Sequence, residues 1–215
     1  MSVYKHRIFL ASGSKSRLKL LQDAYFEVAV LDQICDERSV TVPSNNPEDL
    51  VKLIADIKMD CVIMPQVETL AEHECEGLYI VTADSMVEDM QGQVHGKPDD
   101  YADAIKKIKS MREGSFVHTG FCVEKRKYSE LKQSWERVGE RYNSVDSAWC
   151  FLDIPDDKIE LYLTVQPIAV GCAGGMAMEG PGGLFVREIR GAYSTLIGLP
   201  LHQLKDALDA VGFFD

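Results

Sequence analysis

The feature that most constrains this chain is an abrupt handover from strand to helix near its start. The apolar run Ile8-Phe9-Leu10-Ala11 meets the basic turn Ser12-Gly13-Ser14-Lys15-Ser16-Arg17, and a helix-like run with Leu18, Leu21 and Tyr25 follows. A buried strand feeding a helix through small hydroxyl residues predicts an α/β fold. It also leaves backbone N–H groups at the positive end of the helix, where Lys15 and Arg17 add charge. The turn therefore has the outline of a phosphate site. The same Ser-x-Ser pattern is an ordinary helix N-cap, and on the turn alone both readings stand.

Further along, Asn46-Pro47-Glu48-Asp49 reads as a helix start, with Asn as N-cap, Pro at the first helical position and two acids favoured by the dipole. Leu50, Leu53, Ile54 and Ile57 supply its expected buried stripe, with Lys58 near its end. Leu78 to Ala83 reads as a short apolar strand that stops at Asp84. A turn is expected at Asp89 to Gln93 around Gly92, and Gly96-Lys97-Pro98 leads into a helix that buries Ala104, Ile105, Ile108 and Met111 and ends at Gly114. Alternating strand-like segments then follow, Phe116 to Val123 and Ser147 to Leu152, joined by a charged stretch from Glu124 to Asn143 that reads as a solvated hairpin arm. A short helix is expected after Pro155, a Gly-rich passage from Gly171 to Gly183, a strand from Leu184 to Ile189, and a last helix between Pro200 and Gly212. Helices and strands alternate early and strands dominate late, which predicts a mixed twisted sheet with flanking helices, one domain over 1–215 with two lobes around a central cleft.

Composition removes several classes of function. With 215 residues the chain can bury a sizeable core without staples. Its formal net charge of −11 argues against duplex nucleic acid as a partner, because a phosphate backbone needs a Lys/Arg surface. A phosphate site must then be local and concave. The six cysteines, Cys35, Cys61, Cys75, Cys122, Cys150 and Cys172, form no C-x-x-C pair and read as reduced thiols. No apolar stretch reaches membrane-spanning length, and the basic Lys5-His6-Arg7 precedes too few apolar residues for a signal peptide. A cytoplasmic protein without a membrane partner is expected.

The residues able to do chemistry cluster at the ends of these elements. Asp84, in Thr82-Ala83-Asp84-Ser85, stands where open α/β sheets place their ligands, although a lone Asp at a strand end also serves as a cap. Glu37 follows Asp36, Lys97 sits between Gly96 and Pro98, and Lys58 and Arg17 complete the set. Two acids and three bases can supply a divalent-metal site or general base together with a clamp on a polyphosphate.

Seven segments occur in the order of the Maf family: LASGSKSRLKLL, CDER, IADIK, TADSMVEDMQGQVHGKPDDYADA, VHTGF, CAGGMAMEG and LIGLPLHQL. The chain resembles that family from Leu10 to Leu204. The resemblance implies the Maf/inosine-triphosphatase-like fold and a pyrophosphatase that converts a nucleoside triphosphate to the monophosphate and pyrophosphate. It implies a divalent cation, Mg²⁺ or Mn²⁺, held by Glu37 and Asp84. Asp84 is implied as proton acceptor for the attacking water, and Ser12, Ser14, Arg17, Lys58 and Lys97 as the phosphate-binding set. A homodimer is compatible with the resemblance, and the charged arm could reach a second copy. The role in septum formation after which the family was named leaves a non-catalytic nucleotide-binding regulator as an alternative of another class.

Three positions bear on the base. Members resembling dTTP/UTP pyrophosphatases carry Pro-Arg-Arg, Asp-Thr and Lys-Ala-Gly-x-Tyr-x-Ile-Gln-Gly, where this chain has Lys15-Ser16-Arg17, Asp84-Ser85 and Cys172-Ala173-Gly174-Gly175-Met176-Ala177-Met178-Glu179-Gly180. Ser16, Ser85 and Glu179 therefore depart from the pyrimidine pattern, and the third segment looks like the branch that acts on 7-methyl-GTP. A carboxylate at Glu179 can accept from both donors on the guanine edge and favours the positive charge of a methylated base. That branch usually has Pro and a bulky aromatic where Lys15 and Ser16 stand, and Gln where Ser85 stands, so a stacking contact is absent here. His118 reads as a packed or hydrogen-bonded histidine, and Met176 and Met178 as core.

Overall fold

The computed structural model describes residues 4–35, 46–71, 74 and 77–215. Six of its strands form a sheet in the order β2 (Val28–Val30), β1 (Ile8–Leu10), β3 (Leu78–Asp89), β5 (Ser115–Ser129), β6 (Ser134–Leu152) and β7 (Val186–Arg190), while β4 (Val94–His95) pairs with the far end of β3. β1 runs parallel to both its neighbours, and the β3, β5, β6 and β7 contacts are antiparallel. The parallel step from β1 to β2 is made by the helix α1 (Lys15–Asp23), as a crossover requires.

Side-chain alternation sorts the central strands between two layers. Tyr79, Val81 and Ala83 join Ile8, Leu10 and Leu21 beneath α6 (Leu201–Ala210), which buries Leu204 and Leu208 there. Leu78 and Ile80 join Phe9, Ala11, Ala55 and Met59 beneath α2 (Pro47–Asp60). A third cluster gathers Ala104, Ile108 and Met111 of α3 (Tyr101–Met111) with Val87, Cys150 and Leu152 of the sheet and Ile159 of α4 (Asp156–Val165).

Helix α2 begins as its sequence predicts. The Asn46 side chain accepts from Glu48 N–H at 3.1 Å, and Pro47 occupies the first turn. Its buried stripe differs from the expected one. Val51, Ile54, Ala55, Lys58 and Met59 face the sheet, so Lys58 lies inside the stripe. The helix seats low because β5 carries Gly120 beneath it: a Cβ at that position would come within 2.5 Å of the Val51 backbone. Thr82 Oγ1 donates to Ala55 O at 2.7 Å in the same contact.

Strand β3 does not stop at Asp84. It continues to Asp89, because β5 pairs with it along its whole length, with Asp84 opposite Gly120. Its other edge is interrupted. β1 pairs with Tyr79, Ile80 and Val81 and β4 with Val87 and Glu88, so residues 82–86 have no strand partner on that edge among the described residues. The expected arm is the β5–β6 hairpin, and its root is tied down rather than solvated. Glu124, 1% exposed, accepts from Arg126 Nε at 2.8 Å and from Arg141, whose Nη1 also donates to Asp56 of α2 at 2.9 Å.

Candidate active site

The interrupted edge of β3 is the floor of a cavity of about 270 Å³. Ser12, Ser14, Ser16, Arg17, Lys58, Asp84, Ser85, Lys97 and Glu179 all line it. Every sequence-predicted site residue that the structure describes is thus brought to one place, and Glu37 lies outside the described residues.

The turn after β1 forms the first wall. Ser14 is the N-cap of α1 and accepts from Arg17 N–H at 3.3 Å, while Ser14 N–H donates to Ser12 Oγ at 3.4 Å. Arg17 points under the turn and is only 8% exposed. Its guanidinium donates to Gly198 O (2.7 Å), Ala83 O (2.8 Å), Ser12 Oγ (2.9 Å) and Ser85 Oγ (2.9 Å). The Ala83 carbonyl is the edge group that a strand would otherwise take. A planar fork with five donors is suited to holding four oxygens contributed by separate segments. Gly198 can supply its carbonyl because it ends α5 (Tyr193–Ile197) at φ 108°, a left-handed conformation that favours glycine. Below, Ser85 and Thr119 hydroxyls meet at 2.9 Å, and Thr119 Oγ1 donates to Thr195 O at 3.0 Å.

The second wall descends from α2. Lys58 Nζ donates to Asp84 Oδ1 at 2.8 Å and lies 3.4 Å from Ala83 O. Both side chains are largely buried, at 4% and 12% exposure, and this pairing offsets much of the cost of removing each charge from water. The distal wall is the Gly-rich segment. Glu179 accepts a short hydrogen bond from Ser16 Oγ, which closes the cavity between parts of the chain 163 positions apart. Gln166 Nε2 holds the Glu179 carbonyl at 2.9 Å, and Tyr162 grips Ala177 twice, donating to its carbonyl at 3.0 Å and accepting from its N–H at 2.8 Å. Burial, followed by the nearby Glu179 charge, raises the Cys172 thiol to about 11.

The profile of the family described as "Maf-like protein" matches residues 7–211. The chain belongs to the Maf family. It is similar to a nucleoside triphosphate pyrophosphatase of Cyanothece sp. strain PCC 7425, 34% identical over 206 residues that cover 95% of this chain and 94% of the relative. Another of that description, from Synechococcus sp. strain CC9311, is 32% identical over 201 residues, covering 92% and 96%. A third, from Prochlorococcus marinus strain NATL2A, is 33% identical over 211 residues, covering 94% and 95%. The mixed sheet flanked by helices is the fold expected of a Maf member.

The cavity of this Maf protein is also lined by residues outside the sequence-predicted site set. Gln33 lines it, and its Oε1 is buried without a hydrogen-bond partner among the described residues. Cys172, Met176 and Met178 line the distal wall, and the two methionines are core residues as well. His118 is buried outside the lining, with Nδ1 2.8 Å from Ser147 Oγ and Nε2 3.1 Å from Glu88. Among the described residues no helix is long and apolar enough to cross a membrane.

Proposed function

We propose that this Maf-family enzyme is a nucleoside triphosphate pyrophosphatase whose preferred substrate is a 7-methylated guanine nucleotide, cleaved between the α and β phosphates. The observation that carries the reading is the placement of the Lys58–Asp84 pair and the Glu179 carboxylate in one cavity. Lys58 holds Asp84 through Oδ1, so Asp84 accepts the proton of the attacking water through Oδ2. Lys97 and the Ser12–Ser14 turn meet the phosphate chain, the first with charge and the second with backbone N–H groups. Arg17 acts by fixing Ser12, Ser85 and the edge carbonyl of Ala83 in place.

The chain's donors suit a hard divalent cation that keeps water and phosphate oxygens in its shell. Asp84 offers one carboxylate at the cavity floor, and no group of three or more His, Cys, Asp or Glu converges there among the described residues. Mg²⁺ or Mn²⁺ held by Asp84, with Glu37 by resemblance, would neutralise charge on the departing pyrophosphate. At the other end Glu179 accepts from N1–H and the 2-amino group of guanine. The carbonyl of a uracil or thymine edge would face the same carboxylate without a proton between them, a penalty of about 1–3 kcal/mol.

The test is pyrophosphate release from 7-methyl-GTP, GTP, dTTP, UTP and CTP at one concentration with Mg²⁺ or Mn²⁺. Preference for 7-methyl-GTP is expected. Preference for dTTP or UTP would keep the reaction and overturn the role of Glu179, and no release from any of them would favour a nucleotide-binding regulator.

A further inference from the structure

Asp89 and His95 are buried, at 3% and 6% exposure, yet neither lines the cavity. They stand at opposite ends of the turn that joins β3 to β4. Asp89 Oδ1 accepts from the backbone N–H groups of Gln91 (3.0 Å) and Gln93 (2.9 Å), and its Oδ2 lies 2.7 Å from His95 Nε2. Burial by itself would raise the Asp89 carboxyl, but the hydrogen bonds from His95 and the two amides outweigh it and hold the group below its ordinary value. A carboxylate so held only accepts, so Nε2 carries the proton.

The contacts continue toward the cavity. His95 Nε2 is also 3.3 Å from Ser110 Oγ, whose own proton goes to Lys107 O at 2.9 Å. Lys107 Nζ donates to Lys97 O at 3.0 Å, and Gly174 N–H donates to Gly96 O at 3.1 Å. The backbone at Gly96 and Lys97 is therefore tied to the hairpin, to α3 and to the Gly-rich wall. The Lys97 side chain lines the cavity and makes no hydrogen bond or ion pair with any described residue. An immobilised backbone under an uncommitted ammonium is the arrangement expected of a cation set in advance for a ligand anion.

We propose that Asp89 and His95 are positioning residues for Lys97, fixing the backbone from which its ammonium reaches the substrate's triphosphate. The inference rests on the reading that Lys97 meets those phosphates. It adds two residues, remote from the cavity lining, on which phosphate binding depends.

A double-mutant cycle tests it. His95→Leu removes the donor to Asp89, whereas His95→Gln keeps one in its side-chain amide. In the full-length enzyme, with melting temperatures recorded to verify folding, H95L is expected to lower kcat/KM for the best nucleotide about tenfold or more, and H95Q to retain most of it. In a K97A background H95L should cost nothing further, because the lysine through which it acts is gone. Amide hydrogen exchange over residues 94–99 should accelerate in H95L and not in H95Q. Equal losses from H95L with and without Lys97, wild-type turnover in H95L or K97A, or unchanged exchange would each overturn the inference while leaving the pyrophosphatase reading intact. A wild-type enzyme that hydrolyses no nucleoside triphosphate would contradict that reading first, and the inference with it.

Discussion

On the proposed mechanism two demands meet in the Asp84 carboxylate: it stays in place at a buried strand edge, and it still offers an oxygen to water. Lys58 meets the first through Oδ1. Asp84→Asn keeps the acceptor for Lys58 and removes the base, so kcat should fall by about 10²- to 10⁴-fold with nucleotide binding retained. A loss under tenfold in steady-state kinetics would remove Asp84 from the proton transfer. Glu179 carries the corresponding argument for the base. Glu179→Gln replaces two acceptors with one acceptor and one donor, and the ratio of kcat/KM for 7-methyl-GTP over UTP should drop by about tenfold or more. An unchanged ratio in competition assays would place the base elsewhere. Asp84 was legible in the sequence because an apolar run halts at it, and Glu179 because a carboxylate stands in a segment where the pyrimidine pattern has an amide. Gln33 was not legible: a lone amide carries no local signal, and only the closing of the cavity over it leaves its oxygen unpaired among the described residues.

Among the elements, the contact of α2 with β5 decides how far Lys58 reaches. Gly120→Ala would drive a Cβ into the Val51 backbone, and the helix must lift to relieve it. Such overpacking costs about 1–3 kcal/mol or more, and the lifted helix should also weaken the Lys58–Asp84 contact. Urea unfolding midpoints and turnover should therefore fall together in G120A, whereas normal stability would show that the helix does not rest there. The sequence placed Lys58 near a helix end and predicted a stripe of Leu50, Leu53, Ile54 and Ile57. Periodicity alone did not reveal that the face set against the sheet would be Val51, Ile54, Ala55 and Lys58, over a glycine on another strand. The β3–β4 hairpin makes a separate prediction. Because the folded Asp89 carboxyl titrates below its unfolded value, it contributes stability that is present above about pH 4 and lost as pH falls through the folded value. In urea midpoints measured from pH 7 down to pH 2.5, Asp89→Asn should be less stable at neutral pH and less sensitive to acid than the wild type. Parallel curves would detach the hairpin from that carboxylate.

Across the whole molecule, the cavity lies where the sheet is broken along one edge that no described strand closes. β1 leaves β3 at Val81 and β4 arrives at Val87, so the intervening edge is completed by Arg17 and Lys58, one reaching from each face of the sheet. The alternation of elements was legible from apolar periodicity and turn residues. The pairing of β5 with all of β3, which extends that strand past Asp84, was not, because it depends on residues 26 to 48 positions later. Nor was the contact between Ser16 and Glu179, which joins residues 163 positions apart. The proposed mechanism has water attack the α-phosphorus with Asp84 as its base. It is tested most directly by turning over 7-methyl-GTP in ¹⁸O-labelled water and locating the label by mass spectrometry, with D84N run alongside. The label is expected in the monophosphate, with D84N almost inert; label in the pyrophosphate, or full turnover by D84N, would contradict the mechanism.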